Sequence, residues 1–113
     1  MRLGVGSYTW PWAVGVAGQP PPCPLDAAGV IDRAVALGVR VVQLGDNLPL
    51  EALTDGDLER LAAAATIDGI TLEVGTRGCA PEHLLEQLRR ARCLDAHLLR
   101  VVLDRGSDRP SPE

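Results

Sequence analysis

The sequence contains no lysine and no phenylalanine. All eleven basic residues are arginine, so a Schiff-base amine and a P-loop lysine are both excluded. Aromatic residues make up only 3% against 46% hydrophobic residues, so aliphatic side chains and alanine must fill the interior. Positive charge is in deficit too. The formal net charge of −4 argues against a surface that neutralises phosphates, and no nucleic-acid partner is expected. Cysteine is scarce: Cys23, Cys79 and Cys93 form no C-x-x-C pair. That argues against a disulfide framework or zinc site and for reduced thiols in a cytoplasmic protein. No apolar run approaches the roughly 18 residues of a membrane span, and MRLGVGSYTW holds no signal-peptide core, so no membrane partner is expected.

What remains is one domain of 113 residues, organised around Val39–Leu50, VRVVQLGDNLPL. Gly38 stops a helix, and Val39, Val41, Val42 and Leu44 then read as a buried strand. The stretch turns polar at Gln43, Asp46 and Asn47, as a parallel strand does when it leaves a core at its carboxyl end. ITLEVGTRG (Ile70–Gly78) repeats the pattern, and LLRVVLDRG (Leu98–Gly106) repeats it less fully. Arg2–Tyr8 reads as a first strand with Gly4 and Gly6 on one face. An irregular loop is expected from Thr9 to Pro24, with Trp10 and Trp12 as a lid over a site or as packing.

Three helices separate the strands. Leu25–Leu37 has Asp26 as N-cap, a Leu25–Val30 staple, and a stripe of Val30, Ile31, Ala34 and Val35. Thr54 caps the second, with Leu58, Leu61, Ala62 and Ala65 inward and Gly69 after it. Pro81-Glu82 opens the third, with Leu84, Leu85, Leu88 and Ala91 as its stripe. The order is a run of βαβ units, hence α/β with a parallel sheet and right-handed crossovers. A doubly wound nucleotide-binding sheet is the competing fold, but Gly4 and Gly6 lead into prolines rather than into a helix. Ser111-Pro112-Glu113 reads either as the start of a fourth helix in a longer βα protein or as the end of a polar tail.

These stretches resemble the amino-terminal part of the sugar phosphate isomerase/epimerase family, the xylose-isomerase-like TIM barrels. LGVGSYTW, LGVRVVQLGDNLPL, GITLEVGTRG and the APEHL helix start carry the likeness, which runs from Arg2 to about Asp104. The resemblance implies the front half of a (β/α)8 barrel in residues 1–104, with 105–113 as a polar tail or truncated helix. It also implies a divalent metal (Mn, Mg, Zn or Co) that moves hydrogen between adjacent carbons of a sugar or polyol. The family's metal ligands come from later strands, so none is expected on this chain, which alone should be inactive.

In such a barrel the strand carboxyl ends line the site. By position these are Tyr8 and Trp10, then Gln43, Asp46 and Asn47, then Glu73, Thr76 and Arg77, then Asp104 and Arg105. Hydroxyl, amide, carboxylate and guanidinium groups beside an aromatic wall suit a polyhydroxylated ligand, whose hydroxyls need donors and acceptors. Asp46 and Asn47 are open between that role and an Asx turn before Pro49. Glu73 is the best catalytic candidate, open between ligand contact, an ion pair with Arg100, and solvent. Arg77 is open between an anchor for phosphate or carboxylate and an exposed loop residue. His83 and His97 read as structural or solvated, and Cys79 has no histidine placed to activate it. Four parallel strands leave two unpaired edges, so a homo-oligomer covering them is the alternative to a longer barrel.

Overall fold

The computed structural model describes residues 3–15, 24–48 and 50–103. Asp104, Arg105, the tail and Cys23 lie outside the described residues. Four parallel strands form one sheet in the order β1 (Gly4–Gly6), β2 (Val41–Leu44), β3 (Thr71–Arg77) and β4 (Leu99–Val102). Helices α2 (Ala27–Leu37), α3 (Asp55–Ile67) and α4 (Pro81–Cys93) follow β1, β2 and β3 in turn, and α3 packs against both α2 and α4. Sequential strand order with the helices side by side on one face is a singly wound, barrel-type arrangement. A doubly wound sheet would reverse its order and carry helices on both faces.

Strand alternation sorts the side chains into two sets. Val42, Leu44, Leu72 and Val74 face the helices and are buried with Val30, Ile31, Ala34, Leu58, Ala65 and Ala91. The opposite, inner face carries Gly4 and Gly6 of β1, Val41 and Gln43 of β2, Thr71, Glu73 and Gly75 of β3, and Arg100 of β4. The register aligns Gly6 with Gln43, Gln43 with Glu73, and Gly75 with Arg100. A Cβ on Gly4 would lie 2.8 Å from the Val41 carbonyl oxygen, so this glycine permits the close approach of β1 to β2.

The helix starts follow the caps expected from sequence. Asp26 accepts from the Gly29 N–H at 2.8 Å. Thr54 and Asp57 form a reciprocal capping box at 3.1 Å each way. Gly29 stands where such a box would want an acid in α2, and the structure gives the reason: a Cβ there would meet Leu25 Cδ1 at 2.5 Å.

Several expectations need correction. The first strand is only Gly4–Gly6, because Ser7–Thr9 turns as a 3-10 segment, and a short helix α1 (Pro11–Val14) interrupts the expected loop. Val35 is not in the buried stripe of α2 but exposed. On α4 the buried face is Gln87 and Ala91, whereas Leu85 is 67% and Leu88 49% exposed. An inner helix of a βα repeat packs on the sheet and on two neighbours. Among the described residues α4 has only α3 beside it, so half of its apolar stripe has nothing to cover it.

Candidate functional site

The carboxyl ends of β1, β2 and β3 are joined by side-chain hydrogen bonds. Tyr8, exposed after β1, donates its hydroxyl to Asp46 Oδ1 at 2.8 Å. The other carboxylate oxygen of Asp46 accepts from Arg77 Nε at 3.4 Å, at the end of β3. Tyr8 can lie flat across the β2 exit because the next residue of that strand is Gly45. A Cβ there would be 3.0 Å from the phenol ring. Burial pushes the Tyr8 phenol up from its ordinary value, and the Asp46 hydrogen bond and charge add to this, while Arg77 pulls the other way.

Beneath this rim, Arg100 reaches across Gly75 and donates from Nε to Gln43 Oε1 at 3.1 Å. Gly75 leaves room beneath the bridge: a Cβ there would lie 3.3 Å from Gln43 Oε1, slightly tight, and 3.5 Å from an Arg100 nitrogen, in ordinary contact. Gln43 and Arg100 border a depression of about 440 Å³ on the inner face, together with Gly4, Gly6, Tyr8 and Thr9. Among the described residues Glu73 has no ion-pair partner, so of the three readings left open for it the pair with Arg100 is not formed, and Arg100 bonds Gln43 instead.

Three predicted site residues sit elsewhere than at the open mouth. Asn47 is committed to β1: its Oδ1 accepts from the Ser7 hydroxyl and its Nδ2 donates to the Ser7 carbonyl at 3.0 Å. Thr76 is only 5% exposed and turns toward the helix layer, with its hydroxyl 2.8 Å from His83 Nε2. Trp10 packs beside the core under Arg33, whose guanidinium is 5.2 Å from the ring centroid. Tyr8, Gln43, Asp46, Glu73 and Arg77 remain on the inner face and rim.

Sequence reasoning missed Ser7, Glu51, His83 and Gln87. Ser7 is fully buried, and its oxygen also accepts from the Gly45 N–H at 2.8 Å. His83 and Gln87 lie one turn apart on α4 and line a cavity of about 110 Å³ behind the rim, with Glu51 and Thr76. Gln87 donates to the Glu51 carboxylate. His83 was read as structural or solvated, and its contact with the buried Thr76 hydroxyl is a structural one. What was not read is that a helix following a parallel strand begins at that strand's carboxyl end, which brings His83 behind the rim. The signal available was the i, i+4 spacing of two polar residues on a helix whose first turn abuts the site.

Among the described residues no three His, Cys, Asp or Glu side chains converge as a metal site requires. Asp46 is committed to Tyr8 and Arg77, and His83 to Thr76. These residues do not fit a divalent metal.

Comparison with known proteins gives likenesses in sequence and in fold. No family model matches the chain. Over 113 residues it is 34% identical to 3-oxo-isoapionate decarboxylase of Pectobacterium atrosepticum, and it spans 40% of that protein's length. Its fold is similar to D-psicose 3-epimerase of Clostridium cellulolyticum H10, crystallised with D-tagatose. The TM-score is 0.69 at 22% identity, covering 89% of this chain and 37% of the epimerase.

Proposed function

From a chain that is like the amino-terminal part of the sugar isomerase/epimerase barrels in sequence and fold, we propose that this protein supplies the substrate-side portion of such an enzyme. It holds a polyhydroxylated carbon chain across the exits of β1–β3, and strands beyond these four carry out the bond changes. The observation that carries this reading is the Tyr8–Asp46–Arg77 network over Gln43 and Arg100, which sets donors and acceptors around one concave face. One relative is named for removing CO2 from an oxo acid and the other for inverting carbon 3 of a sugar. A polyhydroxylated substrate is common to both names and the bond broken is not, so the substrate class is the stronger half of the proposal.

The divalent metal implied by the resemblance would be held by later strands of a full barrel, because the described donors do not converge. When bound there it would polarise a substrate oxygen. The residues of this chain would grip hydroxyls and fix the orientation of the carbon chain. Among the described residues no helix is long and apolar enough to cross a membrane. Among the described residues Cys79 and Cys93 are free thiols.

The test is an NMR titration of the 15N-labelled chain with D-tagatose. Shifts confined to Tyr8, Gln43, Gly45, Asp46, Arg77 and Arg100, weakened several-fold by Asp46→Asn, are expected. Shifts scattered over the surface and indifferent to that substitution would sink the reading.

A second reading is favoured by the two flanks. Leu85, Leu88 and Leu98 are exposed on the β4 side, at 67%, 49% and 49%, and Leu3 and Leu37 on the β1 side, at 69% and 61%. Two copies related by a twofold axis along the barrel would pair β4 of each with β1 of the other, covering both edges. Sedimentation velocity separates the cases. A species of twice the 12.0 kDa chain mass supports the closed pair. A dispersed, folded monomer at all concentrations removes it.

A further inference from the structure

We propose that Arg100 anchors a ligand carboxylate, so that the substrate of this face is a sugar acid rather than a neutral sugar; this rests on the polyhydroxylated-substrate reading above. The argument begins with how the arginines are used. Arg60 pairs with Asp57, Arg77 with Asp46, Arg89 with Asp55 and Glu86, and Arg90 with Glu86. Arg33, Arg40 and Arg92 form no such pair among the described residues, but none of them borders the depression. Among the described residues no carboxylate lies within ion-pair distance of Arg100, although it stands on the inner face of the sheet beside the depression. Among the described residues its side chain hydrogen-bonds to the neutral amide of Gln43, at 3.1 Å. An amide acceptor orients a guanidinium without neutralising it.

The geometry fits that use. Gln43 occupies Nε, and among the described residues nothing bonds the two terminal nitrogens, which can take both oxygens of a carboxylate side by side. Gly75 puts no side chain over β3 at this point; a Cβ there would lie 3.3 Å from Gln43 Oε1. Tyr8 and Thr9 line the same depression, where the hydroxyl-bearing carbons would run. Charge decides between carboxylate and phosphate. Glu73 shares the inner face, Asp46 the rim, and the chain carries a net charge of −4. One guanidinium in that field suits a monoanion better than a dianion.

The probes are L-threonate, its neutral counterpart threitol, and glycerol 3-phosphate, titrated into the 15N-labelled chain while the Arg100 Nε–H and Gln43 amide signals are followed. Threonate is expected to move both signals and to bind roughly tenfold tighter than threitol, the margin of a charge-assisted over a neutral hydrogen bond near solvent. Arg100→Gln should erase that margin, so that the variant binds threonate no tighter than threitol, and Arg100→Lys should keep part of it. Equal binding of threonate and threitol overturns the carboxylate anchor and leaves the polyol reading standing. Tighter binding of glycerol 3-phosphate also overturns it, as does a margin that survives Arg100→Gln. If neither threonate nor threitol binds this face, both readings fall. Should Arg100→Gln not fold, the wild-type ratio and the lysine variant still decide.

Discussion

Ser7→Ala is expected to cost this domain about 2–4 kcal/mol although it removes a single oxygen atom. Ser7 is fully buried. Its hydroxyl accepts from the Gly45 N–H at 2.8 Å and donates to Asn47 Oδ1. Alanine leaves both partners without it. A stranded buried polar group costs about 1–3 kcal/mol, and Asn47, being half-buried, falls at the lower end. Against a total stability of roughly 5–15 kcal/mol the loss is large. With a urea slope of about 1–3 kcal/mol/M it should move the unfolding midpoint down by about 1–2 M. Thr9→Ala is the control, because its hydroxyl accepts from Gly6 N–H at an exposed site, and it should cost under about 1 kcal/mol. The double variant with Asn47→Ala should cost well under the sum of the two single changes, since both remove the same contact. A Ser7→Ala loss no larger than that of Thr9→Ala, or strict additivity with Asn47→Ala, would refute the clamp and return Asn47 to the ligand-facing set.

Tyr8 is the single tyrosine, so ultraviolet titration reads it directly. Its midpoint should lie above the ordinary tyrosine value near 10, fall in Asp46→Asn and rise in Arg77→Gln; a midpoint indifferent to both changes contradicts the network. A phenol raised by folding stabilises below its unfolded pKa, and that stability is lost as pH climbs through the folded value, so alkaline unfolding should begin earlier in wild type than in Tyr8→Phe. Asp57 is shifted the other way, held below the usual carboxylate range by the Thr54 backbone N–H first and by Arg60 second. Its contribution is present above the unfolded pKa, near 4, and is lost as pH falls through the folded value. Thermal melts between pH 5 and pH 2 (roughly the carboxylate range) should therefore drop more steeply for wild type than for Asp57→Asn, and parallel curves would rule the cap contribution out. Titration with Mn²⁺ should show no tight site of unit stoichiometry on this chain; one that appeared and was lost in Glu73→Gln would move the metal centre into this part of the barrel.

The fold was largely legible because its signals are local. Asp26 and Thr54 cap where a short polar side chain precedes an apolar helix, and Val42, Leu44, Leu72 and Val74 alternate as half-buried strands do. The rim was legible in part, since position in a βα unit places Tyr8, Asp46 and Arg77 at strand ends. Which strand-end groups face the mouth was not legible. Thr76 is one residue from Arg77, and strand alternation sends it into the helix layer, where it meets His83. Asn47 follows Asp46 in a turn, and only the tertiary position of Ser7 decides that its amide is used up. Leu85 and Leu88 were misplaced for a similar reason: a helical stripe reports that something apolar covers it, not that the cover lies within these residues.

This sorting has a consequence for how the face can vary. Three buried polar side chains hold strand to strand and strand to helix: Ser7 with Asn47 and Gly45, Thr76 with His83, Gln87 with Glu51. Those that look into the concave face are more exposed and bonded to one another at their edges: Tyr8, Asp46 and Arg77 on the rim, Gln43 and Arg100 on the floor. Exposed ion pairs and hydrogen bonds add little stability, commonly under about 1 kcal/mol, whereas a buried group left unpaired costs more. The two layers therefore trade differently. Substitutions at the inner layer change what the face can grip while the barrel segment keeps its stability. Substitutions at the buried layer unfold the exits of β1–β3 together, and with them the arrangement of every group on the rim. On the polyhydroxylated-ligand reading proposed above, such a division would let ligand chemistry change through Gln43, Gly75 and Arg100 while the clamps beneath stay as they are.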